Sequence, residues 1–355
     1  MKYEEIIKQT AIKSEPIIMG IETSCDETAV SIVKGGREVL CDEIISSATE
    51  HVKYGGVVPE IASRMHTEAI LTATKQALQK ANLTLNDIDA FAVTYGAGLL
   101  GALLVGVSFA KSLAYSLNKP LVPVNHIRGH ISAAYLADKS LEPPFIVLLA
   151  SGGHTAIIKV DSYLTFEVLG ATYDDAVGEA FDKVARVLGL NYPGGPNIER
   201  EALKGETLIP LPKMLKGEKS FNFSYSGLKT AVINYVHKQK SKGEEVNVPN
   251  VAYSFQKSAV EAMVERVIKA SKKYKINTIA VCGGVGANGY LRKELELATK
   301  KEGIKLILPE KRLCTDNGSM IGAEGTIQYL NGNFASLDLN AEASIPLIEK
   351  GKIQK

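Results

Sequence analysis

Ile17-Ile18-Met19-Gly20-Ile21-Glu22-Thr23-Ser24-Cys25-Asp26-Glu27-Thr28-Ala29-Val30-Ser31-Ile32-Val33 reads as an apolar strand, a short polar turn and a second strand. The same plan recurs in Phe145-Ile146-Val147-Leu148-Leu149-Ala150-Ser151-Gly152-Gly153-His154-Thr155-Ala156-Ile157-Ile158-Lys159-Val160. Short apolar runs rich in branched residues and bounded by polar turns are strand signals. Each hairpin opens a long stretch of alternating strand and helix patterns. Two such stretches predict an α/β protein built from two similar lobes.

Outward from the first hairpin, residues 67–81 have helical spacing, 90–94 read as a buried strand, and Gly96-Ala97-Gly98-Leu99-Leu100-Gly101 leads into another helix. Outward from the second, 277–282 read as a strand that ends in Gly283-Gly284-Val285-Gly286-Ala287-Asn288. A helix over 289–300 and a short strand over 305–308 follow. This pattern predicts an N-terminal extension over 1–16 and lobe I over 17–140 plus about 317–345. Lobe II covers 141–316 with a helical insertion around 200–250, and a tail covers 346–355.

The length of 355 residues suits about two domains. Hydrophobic residues at 45% and charged residues at 23% are those of an ordinary soluble enzyme. A net charge of +2 neither demands nor excludes a nucleic-acid partner, because a local basic face can hide in a balanced total. Cys25, Cys41, Cys282 and Cys314 form no Cys-x-x-Cys pair, which fits a reducing cytosol. Residues 1–16 mix Lys and Glu and do not read as a signal peptide. The nearest approach to a membrane span, 98–117, is interrupted by Gly101, Gly106, Ser108 and Lys111. The expectation is a cytoplasmic protein with no membrane partner.

Several segments carry chemistry. His126 and His130 in Asn125-His126-Ile127-Arg128-Gly129-His130 sit four apart on one helix face, so they are either two imidazoles for a divalent ion or two ordinary polar helix residues. The Glu of the His-Glu-x-x-His protease pattern is missing. Asp316, in Cys314-Thr315-Asp316-Asn317-Gly318, is either a third ligand or the cap of the helix that follows. Ser151-Gly152-Gly153-His154-Thr155 is either a phosphate cradle or a plain hairpin turn. The Gly283 to Asn288 stretch suits a nucleotide, with Asn288 bonding a ribose or base, although the Gly-x-Gly-x-x-Gly spacing is not met. Asp174, Asp175, Glu179 and Asp182 form an acidic run, and Tyr192-Pro193-Gly194-Gly195-Pro196 reads as a rigid turn able to close over a sugar or base.

Taken together, Gly20 to Thr28, Tyr54-Gly55-Gly56-Val57-Val58-Pro59-Glu60-Ile61-Ala62-Ser63-Arg64, His126 to His130, Ser151 to Thr155, Gly178-Glu179-Ala180-Phe181-Asp182-Lys183, Tyr192 to Pro196, Phe223 to Thr230 and Cys314 to Gly318 resemble one family. It is the catalytic subunit of tRNA threonylcarbamoyladenosine synthase, in its bacterial or organellar form. The resemblance implies the actin-like ATPase, sugar kinase and heat-shock-protein fold, with a nucleotide in the cleft between lobes. It also implies transfer of a threonylcarbamoyl group from threonylcarbamoyl-AMP to the adenosine 3′ of the anticodon, in tRNAs reading codons that begin with adenine. AMP leaves. Position by position it implies His126, His130 and Asp316 as ligands of iron or zinc. Leu149, Ala150, Ser151, Gly152, Gly153, Asp182, Gly195, Glu199 and Asn288 match adenylate-binding positions, although many members have Asp at Glu199. Asp26 and Glu27 match an acidic pair near the transferred group, with Asp26 the first candidate for general base and Glu27 the second. Implied partners are tRNA, a TsaB-like paralogue, a TsaE-like ATPase and a TsaC-like threonylcarbamoyl-AMP synthase. Ala97 and Gly286 depart from the family's usual Gly-Pro-Gly-Leu and Gly-Gly-Val-Ser-Ala-Asn runs. Lys53, Arg64 and Arg128 are the candidates to neutralise tRNA phosphates. A metalloprotease, a small-molecule kinase or ATPase of the same fold, and a nucleotide-sensing scaffold are the competing readings.

Overall fold

The computed structural model describes residues 3–215 and 217–347. The chain forms two compact units. Unit 1 is built from the chain up to Leu141 and again from Asp316, and unit 2 is Glu142–Thr315. Unit 1 contains α1 (Tyr3–Ile7), β1 (Ile17–Glu22), β2 (Glu27–Lys34), β3 (Glu38–Ser46), α2 (Ala48–His51), α3 (Pro59–Ala81), β4 (Ala90–Gly96), α4 (Leu100–Leu117), β5 (Leu121–Asn125) and α5 (His126–Ala137). Unit 2 contains β6 (Phe145–Ala150), β7 (Thr155–Val160), β8 (Phe166–Ala171), α6 (Val177–Val187), α7 (Gly194–Ala202), α8 (Ser226–Ser241), α9 (Val248–Tyr274), β9 (Thr278–Cys282), α10 (Gly289–Glu302), β10 (Lys305–Ile307) and α11 (Lys311–Cys314). The chain then returns to unit 1 through α12 (Gly318–Leu330).

The repeat read from the two hairpins is a repeat of topology. One sheet runs β3-β2-β1-β4-β5 and the other β8-β7-β6-β9-β10. In each, an antiparallel hairpin continues into parallel strands. β1, β4 and β6 are buried on both faces, which explains their unbroken apolar runs. Each unit has its own core, with Phe181, Phe255 and Val260 prominent in unit 2 and Met19, Ile32 and Phe91 in unit 1.

Four expectations change. The helix read over 67–81 begins about two turns earlier, because Pro59 stands at its first position, where a missing N–H costs nothing. Among the described residues, 203–215 and 217–225 are not helical, so the insertion becomes a helix only at Ser226. Gly194 of the expected rigid turn already opens α7. The 98–117 stretch is one unbroken helix from Leu100 to Leu117, long and apolar enough by composition to cross a membrane. Its glycines serve packing: a Cβ on Gly101 would sit 2.6 Å from the Ser63 hydroxyl of α3, and one on Gly106 would strike the Thr23 hydroxyl.

A line of small residues on α12 lets that helix lie against the sheet of unit 1. A Cβ on Gly20 at the middle of β1 would collide with the Gly318 carbonyl and the Gly322 amide. One on Gly318 would lie 2.6 Å from the Ser31 amide, and one on Gly322 2.7 Å from Val33. Backbone therefore meets backbone along this seam, which fixes the residues just before α12 relative to β1 and β2.

Candidate functional site

Asn125 ends β5 and caps α5, its Oδ1 accepting from the Ile127 and Arg128 amides at 2.9 and 3.4 Å. The cap starts the helix at His126, so His126 and His130 stand one turn apart on one side. Their rings meet edge to face at 4.7 Å and both are nearly buried. Asn317 caps α12 by accepting from the Met320 amide at 2.8 Å, so the capping role falls to Asn317 and not to Asp316. Asp316 faces the histidines instead, with Oδ1 3.5 Å from His126 Nε2 and 3.2 Å from His130 Nε2. One donor atom from each of the three lies within 4.8 Å of the others. Two imidazoles and one carboxylate form a donor set that suits a divalent transition ion. All three belong to unit 1, so the approach of lobes that the sequence reading required is not needed to join them.

The turn between β1 and β2 carries Asp26 and Glu27. Burial, then the charges of Asp26 and Asp316, push the Glu27 carboxyl up to about 9. The raised value favours the neutral carboxyl in the metal-free protein, and the Ser46 hydroxyl donates to Glu27 Oε1 at 3.3 Å. Two histidines that sequence reasoning passed over hold this turn. His66 Nε2 lies 3.0 Å from the Cys25 carbonyl and its Nδ1 2.7 Å from the Thr28 hydroxyl. His51 Nδ1 accepts from the Val58 amide at 3.3 Å, and its Nε2 meets the Ser47 hydroxyl, which donates to the Asp26 carbonyl at 2.8 Å. His51 thus accepts through Nδ1, and burial lowers the pKa of His66. Their only signal in the sequence is that they flank the Tyr54 to Arg64 motif.

For His126, burial alone would lower the pKa, but the carboxylates of Asp316 and Glu22 outweigh it and raise the group to about 9. The folded chain thus binds more protons than the unfolded chain between pH 6.5 and about 9, and stability falls as pH rises through that window. Glu27, raised as well, acts in the same direction. Melting of the metal-free protein should therefore shift downward from pH 6.5 to 9, and metal affinity should rise with pH as about one proton leaves per ion bound. A melting temperature flat across the window would contradict this charge arrangement.

Unit 2 carries the anion-binding candidates. Leu149 and Ala150 end β6, and Ser151 turns the chain, accepting at Oγ from the His154 amide at 3.1 Å. A Cβ on Gly152 or Gly153 would meet open space. The turn abuts the start of α6, where the Gly178 amide donates to the Ser151 carbonyl at 3.2 Å. Asp182, on α6, accepts from the Gly194 amide at the start of α7 at 2.7 Å; burial raises its pKa against that bond. Gly195 follows with open space at its Cα. Glu199, on α7, accepts from the Gly289 amide at the start of α10 at 2.8 Å. Asn288 caps α10 by accepting from Leu291 at 2.9 Å, and its amide donates to Gln256 at 2.9 Å. Its side chain thus already serves the fold, whatever its backbone offers a ligand. A continuous run of contacts links the loop with three helix N-termini, each a source of positive partial charge.

Of the proposed phosphate contacts, Lys53 and Arg64 are exposed on the surface of unit 1, beside Glu50 at 3.0 Å and Glu60 at 2.7 Å. Arg128 turns inward, its Nε 2.9 Å from the buried carboxylate of Glu324. Pairing that carboxylate outweighs exposure, so Arg128 is removed from the candidates.

Comparison with known proteins agrees with this geometry. The sequence profile described as "TsaD: tRNA N6-adenosine threonylcarbamoyltransferase" matches residues 38–323. A Clostridium perfringens (strain SM101) protein of that name is 51% identical over 338 residues, covering 95% of this chain and 100% of its own. A Clostridium botulinum (strain 657) protein of the same name is 52% identical, over 94% of this chain and 98% of its own. Among solved structures, full-length HypF in its phosphate- and nucleotide-bound form superposes with a TM-score of 0.59 at 16% identity, covering 90% of this chain and 47% of HypF. The (R)-2-hydroxyglutaryl-CoA dehydratase component A of Acidaminococcus fermentans gives 0.51 at 16% identity, over 89% and 99% of the two chains. These distant likenesses show the actin-like ATPase fold alone. With its fold and near-full-length relatives in agreement, the chain belongs to the TsaD family of tRNA N6-adenosine threonylcarbamoyltransferases.

Proposed function

We propose that the protein moves a threonylcarbamoyl group from threonylcarbamoyl-AMP to the N6 amine of the adenosine 3′ of the anticodon, in tRNAs reading codons that begin with adenine. The observation that supports this best, on a chain of this family, is a two-histidine, one-aspartate donor set beside a carboxyl pair in unit 1. The backbone of Ser151 to Gly153 and the adjoining helix N-termini would hold the adenylate phosphate. His126, His130 and Asp316 would hold one divalent ion, iron or zinc, which supplies positive charge to oxygens of the reacting group. The N6 nitrogen attacks the carbamoyl carbon, the bond from that carbon to the phosphate oxygen breaks, and AMP departs with the electron pair. Asp26 takes the proton from N6, while neutral Glu27 donates a hydrogen bond to it or to the substrate.

The missing Glu between the histidines speaks against a metalloprotease. Tests with tRNA and threonylcarbamoyl-AMP separate the remaining readings: this one requires modified tRNA and AMP in equal amounts. A kinase or ATPase would instead consume nucleoside triphosphate without tRNA, and a scaffold would do neither. We further propose a cytoplasmic setting and three protein partners: a TsaB-like paralogue, a TsaE-like ATPase and a TsaC-like synthase. Exposed Leu100, Leu104 and Tyr115 on α4 support a protein partner on that helix.

The adenylate reading makes one sharp prediction. Because a side chain at Gly153 meets open space, Gly153→Val should alter ligand-free stability by less than about 0.5 kcal/mol. It should weaken AMP binding at least about tenfold, since the backbone no longer reaches the phosphate. Equal AMP affinity by calorimetry would remove this turn from the site.

A further inference from the structure

We propose that Glu22 is a positioning residue for the metal centre, fixing which nitrogen of His126 meets the ion. The inference rests on the metal reading given above and adds a residue outside the donor set. Glu22 is the last residue of β1 and is fully buried. A buried carboxylate needs donors, and this one has three. The Ser24 amide donates to Oε1 at 2.5 Å, the Thr94 hydroxyl donates to Oε2 at 2.5 Å, and His126 Nδ1 lies 3.1 Å from Oε2.

The Ser24 hydroxyl also lies near His126 Nδ1, at 3.2 Å, so two tautomers compete. If Nδ1 accepted from Ser24, its lone pair would face the carboxylate oxygen and repel it. If Nδ1 carries the proton, it donates to Glu22 and the repulsion becomes a charge-assisted bond. The second arrangement wins. Once Nε2 gives up its proton to a metal ion, its lone pair lies on the far side of the ring, toward Asp316 and His130. A carboxylate behind an imidazole also raises the basicity of the ligating nitrogen.

His130 lacks such support. Its Nδ1 is buried without a hydrogen-bond partner among the described residues. The two histidines are therefore unequal: His126 is oriented by a hydrogen bond, and His130 by helix packing. The strand that carries Glu22 is also the one sealed against α12, and α12 follows directly from Asp316. One stretch of backbone contact thus sets both the carboxylate that orients His126 and the carboxylate that faces it.

The test uses the full chain loaded with zinc, with nitrogen-15 in its histidines. Long-range proton–nitrogen spectra should show His126 protonated at Nδ1 and ligated through Nε2. A His126 ring protonated at Nε2, or ligated through Nδ1, overturns the inference, and this measurement needs no variant to fold. Glu22→Gln should then weaken zinc binding to the metal-free protein by about 10–100-fold and alter the visible spectrum of the cobalt form. Thr94→Val, which removes one donor but leaves the carboxylate behind the ring, should stay within about threefold of wild type. AMP affinity in unit 2 should not move in either variant. Zinc affinity of Glu22→Gln within twofold of wild type overturns the positioning role alone. A wild-type chain that binds neither zinc nor cobalt overturns the metal reading and this inference together.

Discussion

Asp316→Asn should strip the protein of metal and of transfer activity while leaving it folded. The substitution keeps the shape of the side chain and removes its charge. Two imidazoles and a neutral amide hold a divalent ion far less well than two imidazoles and a carboxylate. The loss should exceed the roughly 10–100-fold typical of removing an outer-shell partner, and transfer to tRNA should fall at least as far. The metal-free variant should stay folded, because Asn317 continues to hold the first turn of α12, although at neutral pH it should melt somewhat earlier once protonated His126 loses the Asp316 charge. The charge of Asp316 also helps raise the carboxyl of Glu27, so the variant's Glu27 should titrate lower. Metal content by elemental analysis, together with melting of both metal-free proteins, decides the matter. Full occupancy in the variant, or a collapse of the metal-free fold, would sink the assignment.

Gly20→Ala should be among the most damaging single methyl additions to the described glycines. The added carbon meets the Gly318 carbonyl and the Gly322 amide, neither of which is a side chain that can rotate away. Ordinary overpacking costs about 1–3 kcal/mol. A collision of backbone with backbone at a fully buried strand should exceed about 4 kcal/mol, a large part of the stability of a domain. Unit 2 has its own core, so AMP binding should survive while zinc binding is lost. Calorimetric unfolding that shows one transition at the wild-type temperature would refute the packing argument.

Much of the architecture was legible because it rests on local rules. The two hairpins betrayed themselves by apolar strands around polar turns, and their sheets prove to share one strand order. The histidine pair was legible because the helix repeat is fixed, and Asn125 shows where the helix begins. What stayed hidden depends on contacts distant in the chain. Asp316 and Asn317 are neighbours with equal claims to cap a helix, and only the folded chain shows which one does. Glu22 ends an apolar strand, where a carboxylate ordinarily faces water. Its burial is set by Thr94 and His126, far along the chain. The polar run after Ala202 resembles a helical insertion in composition, but among its described residues helix starts only at Ser226. Arg128 looked like a cation for RNA because Glu324, its partner, lies almost two hundred residues away.

The return of the chain through α12 has a consequence for biosynthesis. A ribosome releases the N-terminal part of unit 1 first, then all of unit 2, and only then Asp316 and the helix that closes the seam on β1. Unit 2 is continuous and can fold as soon as it emerges, whereas unit 1 must wait as an open sheet with its glycine face uncovered. A chain interrupted before Asp316 would display both histidines and no aspartate. On the proposed metal reading, uptake of the ion would wait until translation has passed the whole of unit 2 and reached Asp316.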